Sequence, residues 1–126
     1  MLGRVNDRLE AVIAAEVGSP SGASQPVDLI VDTGFNGHLA LPRNLIAVLG
    51  LPFVGAADAT VADGRQIPVD LFACAITWDG RPREVIAVHA EGGALAGMSL
   101  IEGHRLSIEV SSGGSVLIDP LPPALP

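Results

Sequence analysis

One carboxylate in this chain stands where a side chain could do chemistry. Asp32 follows three apolar residues, Leu29-Ile30-Val31, and is followed by Thr33 and Gly34. The apolar run predicts a strand buried on both faces, and Thr33-Gly34 a tight turn at its end. A carboxylate at the mouth of a buried strand loses water, which disfavours its charged form, so it needs a partner or a purpose. Taking a proton from a water molecule is one such purpose. Asp-Thr-Gly is also good turn chemistry, and the triplet alone does not separate the two readings. Its surroundings must decide.

Other chemistries find little support. All seven basic residues are arginine, so the chain offers neither a Schiff-base lysine nor a P-loop lysine. His38, His89 and His104 lie far apart, and no His/Cys pair has zinc-ligand spacing. Ser19, Ser21 and Ser24 sit in a polar loop, with no Gly-x-Ser-x-Gly elbow. The arginines are scattered, the net charge is −7 and there are four aromatic residues, three Phe and one Trp, so nucleic acid is not an expected partner. Asp28 reads as a solvated residue at the start of its strand. The single Cys74 reads as a core residue; it can form no internal disulfide, in keeping with a reducing compartment.

The elements that must position Asp32 are short. Length, 126 residues, suits one domain, with a core over about 9–118 and a Pro-rich tail over 119–126. Hydrophobic residues make up 48%, and no apolar run reaches membrane-span length. Residues 1–17 carry Arg4, Asp7, Arg8 and Glu10, which is no signal-peptide pattern, so the expectation is a soluble cytoplasmic protein. Leu9–Val17 predicts a strand, Gly18–Pro26 a loop, Val27–Val31 a strand, and His38–Leu41 a short strand after a turn at Phe35-Asn36-Gly37. Pro42 predicts a helix start, with Arg43–Leu49 running to a stop at Gly50. Ala59–Val61 and Ile67–Trp78 flank a hairpin turn at Ala62-Asp63-Gly64-Arg65, and Asp79-Gly80 marks a second one before a strand at Glu84–His89. Glu91-Gly92-Gly93 predicts a loop, Met98–Gly103 a short helix, and Leu106–Val110 and Ser115–Ile118 strands about a turn at Ser111–Gly114. The tail, with four prolines, predicts extended or frayed chain. Many short strands and two short helices indicate an all-β barrel or sandwich.

In the order of its parts the chain resembles the single-domain, retropepsin-like aspartic proteases. The first motif is Leu29-Ile30-Val31-Asp32-Thr33-Gly34. A hairpin flap follows at Thr60–Ile67, with Asp63-Gly64 at its tip. The late apolar-apolar-Gly turn before a helix is matched by Leu95-Ala96-Gly97-Met98-Ser99-Leu100-Ile101. The resemblance covers Leu9 to Val110. Retropepsins usually carry an Asp at the position of Asn36 and an Arg at that of Met98, and these pair; here both are uncharged. Losing one partner strands a charge, whereas losing both need not be costly. Phe35 replaces a small residue and bears on the size of a nearby subsite. Ala96 is smaller than the usual branched residue.

The resemblance implies an all-β, retropepsin-like closed barrel with one or two short helices, working as a two-fold homodimer. It implies an aspartic endopeptidase in which Asp32 is catalytic and Thr33 and Gly34 support it. Phe35, Asn36 and Gly37, with Ala62, Asp63 and Gly64 of the flap, are the implied substrate-binding residues. No cofactor or metal is implied. The expected partners are a peptide or protein substrate and a second copy of the chain, with no nucleic acid and no membrane. The chemistry needs two carboxylates sharing one proton, and the chain has one such Asp, so the second must come from another copy across a two-fold axis. Two rivals stand beside this reading. One is a non-catalytic dimeric module of the same fold that binds peptides. The other is an unrelated small β domain whose Asp32 is only a turn residue.

Overall fold

The computed structural model describes residues 1–124. Ten strands and two short helices follow one another as β1 (Leu2–Val5), β2 (Ala11–Gly18), β3 (Ser24–Val31), β4 (Leu39–Leu41), α1 (Arg43–Leu49), β5 (Phe53–Thr60), β6 (Gln66–Trp78), β7 (Arg81–His89), β8 (Leu95–Ala96), α2 (Met98–Ile101), β9 (His104–Ile108) and β10 (Ser115–Pro120). The strands hydrogen-bond in the order β5-β6-β7-β4-β8-β3-β2-β1-β10-β9, and β6 also pairs with β2. That extra pairing, Val17 with Ile76 and Gly18 with Ala75, closes β6, β7, β4, β8, β3 and β2 into a barrel.

Alternation along β2 shows how the core forms. Ala11, Ile13, Ala15 and Val17 point inward and are buried, while Ala14 and Glu16 between them are exposed. Ile13, Val17, Leu29, Leu39, Leu41, Cys74, Ile76, Leu100, Val116 and Ile118 are almost wholly excluded from solvent, and no polar or charged residue is buried among them. Burying a side chain of this size contributes about 1.5–3 kcal/mol each, which is what a chain without disulfides must rely on.

The two hairpin turns are local chemistry. Asp79 (φ 52°) and Gly80 (φ 77°) are both left-handed, as a two-residue turn between β6 and β7 requires. At the other hairpin Thr60 pairs with Gln66, the Val61 amide donates to the Arg65 carbonyl, and the Asp63 carboxylate accepts from the Arg65 backbone and guanidinium. Gly50, at φ 65°, ends α1.

Several elements differ from the sequence expectation. β1 was not legible: four residues containing Gly3 and Arg4 carry no clear alternation, and pairing with β2 and β10 makes them a strand. β2 starts at Ala11 and not at Leu9, because Leu9 (φ 61°) belongs to a turn closed by Asn6, whose side-chain oxygen accepts from the Arg8 and Glu10 amides. The loop before β3 is shorter than Gly18–Pro26. Pro26 lies in the strand opposite Glu16, on a stretch of β3 paired on one side only, where a missing N–H is harmless. β3 is not buried on both faces: Leu29 is fully buried and Val31 packs half-buried against the core, but Ile30, on the opposite face, is half-buried because it meets the loop at Gly93 and not a second layer. β5 and β7 begin earlier than expected, at Phe53 and Arg81, and β9 is displaced to His104–Ile108. β10 takes in Asp119 and Pro120, the Leu121 amide donates to the Gly103 carbonyl, and the last two tail residues lie outside the described residues.

Candidate active site

Asp32 sits where β3 leaves the barrel. Its amide donates to the Ala96 carbonyl at 2.9 Å, extending the parallel pairing of Ile30 and Val31 with Leu95 and Ala96. One carboxylate oxygen, Oδ1, accepts from the Gly34 amide at 2.9 Å, and the Phe35 amide donates to the Asp32 carbonyl. The triplet is therefore a turn that fixes its own aspartate. Oδ2 has no partner among the described residues. Asp32 is half-buried, Thr33 and Gly34 are exposed, and the Thr33 hydroxyl has no partner among the described residues either.

Segment 32–38 is strapped to segment 96–99 by further bonds. The Met98 amide donates to the Phe35 carbonyl (2.8 Å), the Ser99 amide to Gly37 (3.2 Å) and the Gly97 amide to His38 (2.9 Å). The Ser99 hydroxyl donates to the Asn36 carbonyl. The straps demand close approach. A Cβ on Gly97 would lie 2.2 Å from the Gly37 carbonyl oxygen and 2.7 Å from that of Phe35. The Phe35 ring lies over Gly37 and Gly97, so glycine at both positions makes room for it.

Beside Asp32 runs an open groove of about 490 Å³, lined by Leu9, Glu10, Ala11, Ile30, Val31, Asp32, Thr33, Gly93, Leu95, Ile108 and Val110. Most of these residues are apolar in type, but polar and apolar atoms share the exposed wall about equally, and Glu10 and Asp32 are its charged residues. Of the residues singled out in the sequence, Asp32 and Thr33 line this groove. Phe35, Asn36 and Gly37 lie on the strapped side of the loop, and Ala62, Asp63 and Gly64 form the distal hairpin tip, away from the groove wall. A larger hollow of about 800 Å³ shares Ile30 and Gly93 with the groove but lies on the outer face of β1, β2 and β3, without Asp32. Of the two, the smaller one holds the Asp32 carboxylate. Among the described residues no group of three or more His, Cys, Asp or Glu is gathered as a metal ion would need.

Sequence reasoning missed Leu9, Ile108 and Val110 as wall residues, and Ser99 and Arg83 as supports. Leu9, Ile108 and Val110 are exposed at 60%, 38% and 69%, an apolar rim that the β1–β2 turn and the end of β9 bring to Asp32 only in the folded chain. Ser99 had one available signal, its place two residues after the late glycine. Arg83 had none. On the inner side of the loop His38 titrates below its ordinary value: burial disfavours its charged form, the Arg83 guanidinium adds to that, and Glu102 opposes it.

Two solved structures share this architecture. The EIAV protease complexed with the inhibitor HBY-793 superposes with a TM-score of 0.62 at 13% identity, over 77% of this chain and 89% of that one. A retropepsin-like aspartic protease from Rickettsia conorii gives 0.60 at 17% identity, over 97% of this chain and 91% of that one. No protein-family model and no curated protein matches the sequence. The fold is therefore retropepsin-like, all-β with two short helices, as the order of motifs implied.

Proposed function

We propose that this retropepsin-like chain is an aspartic endopeptidase that works as a homodimer, with Asp32 of each copy at the two-fold axis. The observation that carries the reading is the state of Asp32. It is held by its backbone and by Oδ1, its other oxygen is without a partner among the described residues, and it borders an open groove. A turn residue serving only the turn would need neither the straps from segment 96–99 nor the groove.

One such Asp per chain is half a site. In the dimer one carboxylate is ionised and takes a proton from a water, while its protonated counterpart polarises the scissile carbonyl; the pair shares a single proton because two adjacent carboxylates cannot both ionise cheaply. Attack of the water gives a tetrahedral intermediate that collapses with protonation of the leaving amine, and no covalent enzyme intermediate forms. Thr33 is exposed and without a side-chain partner among the described residues, which leaves its hydroxyl available for a bond across the axis in this reading. The β5–β6 hairpin presents Ala57, Ala59, Ile67 and Val69 on one face and Asp58, Asp70, Thr60 and Gln66 on the other, and closes its apolar face over the peptide.

Asp32→Asn tests this. Asn keeps the size of Asp and can still accept from the Gly34 amide, so fold and dimer survive; it cannot take a proton from water, and both halves of the site are lost at once. Peptide cleavage at mildly acid pH is expected to vanish while sedimentation still shows a dimer. Cleavage at the wild-type rate would refute the role of Asp32. A wild type that binds a transition-state mimic of peptide hydrolysis yet cleaves nothing would be the non-catalytic module.

A further inference from the structure

Arg83 makes contacts that the sheet does not need. It lies on β7 opposite Ile76, fixed by an eight-pair ladder to β6, and is half-buried. Its guanidinium reaches out of the sheet to α2: Nη1 donates to the Leu100 carbonyl at 3.0 Å and Nη2 to the Ser99 carbonyl at 3.3 Å. α2 is a single turn with no side-chain N-cap. A one-turn helix has no carbonyl partners of its own at its end, so those oxygens need an outside donor. The same short turn carries the Met98 and Ser99 groups that strap the Asp32 loop from the other side.

We propose that Arg83 is a positioning residue for Asp32, acting through α2. One guanidinium, held on a rigid strand, fixes two successive carbonyls of the turn; the amides and hydroxyl of that turn then fix the carbonyls of Phe35, Asn36 and Gly37. The planar fork matters, because a single-point cation can satisfy one carbonyl but cannot set the rotation of the turn. The consequence for catalysis rests on the proteolytic reading; the mechanical consequence does not.

The test uses the full chain with Arg83→Met and Arg83→Lys. Amide hydrogen exchange at Met98 and Ser99 is expected to accelerate about tenfold or more in Arg83→Met, the size of effect that loss of charge-assisted hydrogen bonds gives, while Ile13 and Leu29 in the β2–β3 ladder keep the wild-type rate. Arg83→Lys is expected to fall between. His38 provides a second readout: its titration moves up in Arg83→Met, where the neighbouring charge is gone, and stays in Arg83→Lys. With a peptide substrate, kcat is expected to fall in Arg83→Met with KM little changed, because the groove walls are untouched. Exchange at Met98 and Ser99 within twofold of wild type would overturn the proposal. So would acceleration spread evenly through the barrel, or faster exchange with unchanged kcat. If wild type cleaves no peptide, the proteolytic reading fails by itself, and the exchange data still decide whether Arg83 holds the loop.

Discussion

Gly97→Ala probes the join on which the site depends. The backbone there is extended (φ −102°, ψ 180°), a conformation alanine adopts freely, so no torsional strain enters. The whole effect comes from what a methyl group would meet: the Gly37 carbonyl oxygen at 2.2 Å, the Phe35 ring at 2.6 Å and the Phe35 carbonyl oxygen at 2.7 Å. The ring can swing aside, but the two carbonyls belong to the strapped loop and cannot. Relieving the clash means moving segments 35–38 and 97–99 apart, which lengthens the bonds from Gly97 to His38 and from Met98 to Phe35. Overpacking of this kind costs about 1–3 kcal/mol, and each weakened backbone bond adds about 1 kcal/mol. The expected loss is then roughly 3–5 kcal/mol, a large share of the ~5–15 kcal/mol that holds a domain together. For a chain of this length it lowers Tm by about 4 °C per kcal/mol. Thermal and urea unfolding followed by circular dichroism at fixed protein concentration measure it; concentration must be fixed because a dimer gains apparent stability by mass action. Gly113→Ala is the control. It has open space around it but φ 82°, so it pays strain alone, about 1 kcal/mol. A loss below about 1 kcal/mol for Gly97→Ala would refute the close approach and with it the strapped loop.

Two groups outside the site give further tests. His104 lies against Trp78 and bonds to the Asp79 carboxylate and the Glu102 carbonyl; burial, the largest single influence, pulls its pKa down, but those bonds and the Asp79 charge outweigh it and the net shift is upward. A raised folded pKa stabilises below the unfolded value and loses that stabilisation as pH rises through the folded one, so the stability gap between wild type and His104→Asn is expected to be widest near pH 6 and to shrink by pH 8.5, and a gap independent of pH would refute it. Burial pushes the Cys74 thiol up to about 11, so a thiol reagent at pH 8 should leave it untouched in the folded chain and label it once on unfolding; labelling at the unfolded rate under native conditions would refute it.

What could be read from the sequence was what neighbouring residues decide. Asp63-Gly64, Asp79-Gly80 and Gly50 announce themselves because only a few residue types tolerate their backbone angles. The long β6 and the late turn before α2 were legible from alternation and from glycine. β1 was not, because a four-residue strand gains its identity from partners 6 to 115 residues away. The two-residue seam between β2 and β6 leaves no local trace either, yet it turns a sheet into a barrel. The site divides in the same way. Asp32 and its turn could be read directly, since a carboxylate after an apolar run is conspicuous. The groove could not, since Leu9 comes from a turn and Ile108 and Val110 from the end of β9 and just beyond it, and their side chains look merely exposed. Arg83 was one scattered arginine among seven.

The uncharged pair Asn36 and Met98 now has a physical context. In the retropepsins the chain resembles, an acid and a base at these positions are opposite in sign, so together they add no net charge beside the aspartate. Losing both leaves the long-range field at Asp32 nearly as it was, whereas losing only the base would strand a negative charge near the Asp32 carboxylate. What the pair supplied was attachment between two segments. Here that attachment comes from groups with no formal charge: the Met98 and Ser99 amides, the Ser99 hydroxyl and the carbonyls they meet. Such bonds are short, directional and barely screened by salt, but they fix the loop only as well as the α2 turn is itself fixed. Behind that turn stands one formal charge, Arg83, from which two carbonyls accept. From there the guanidinium braces the turn that straps the Asp32 loop.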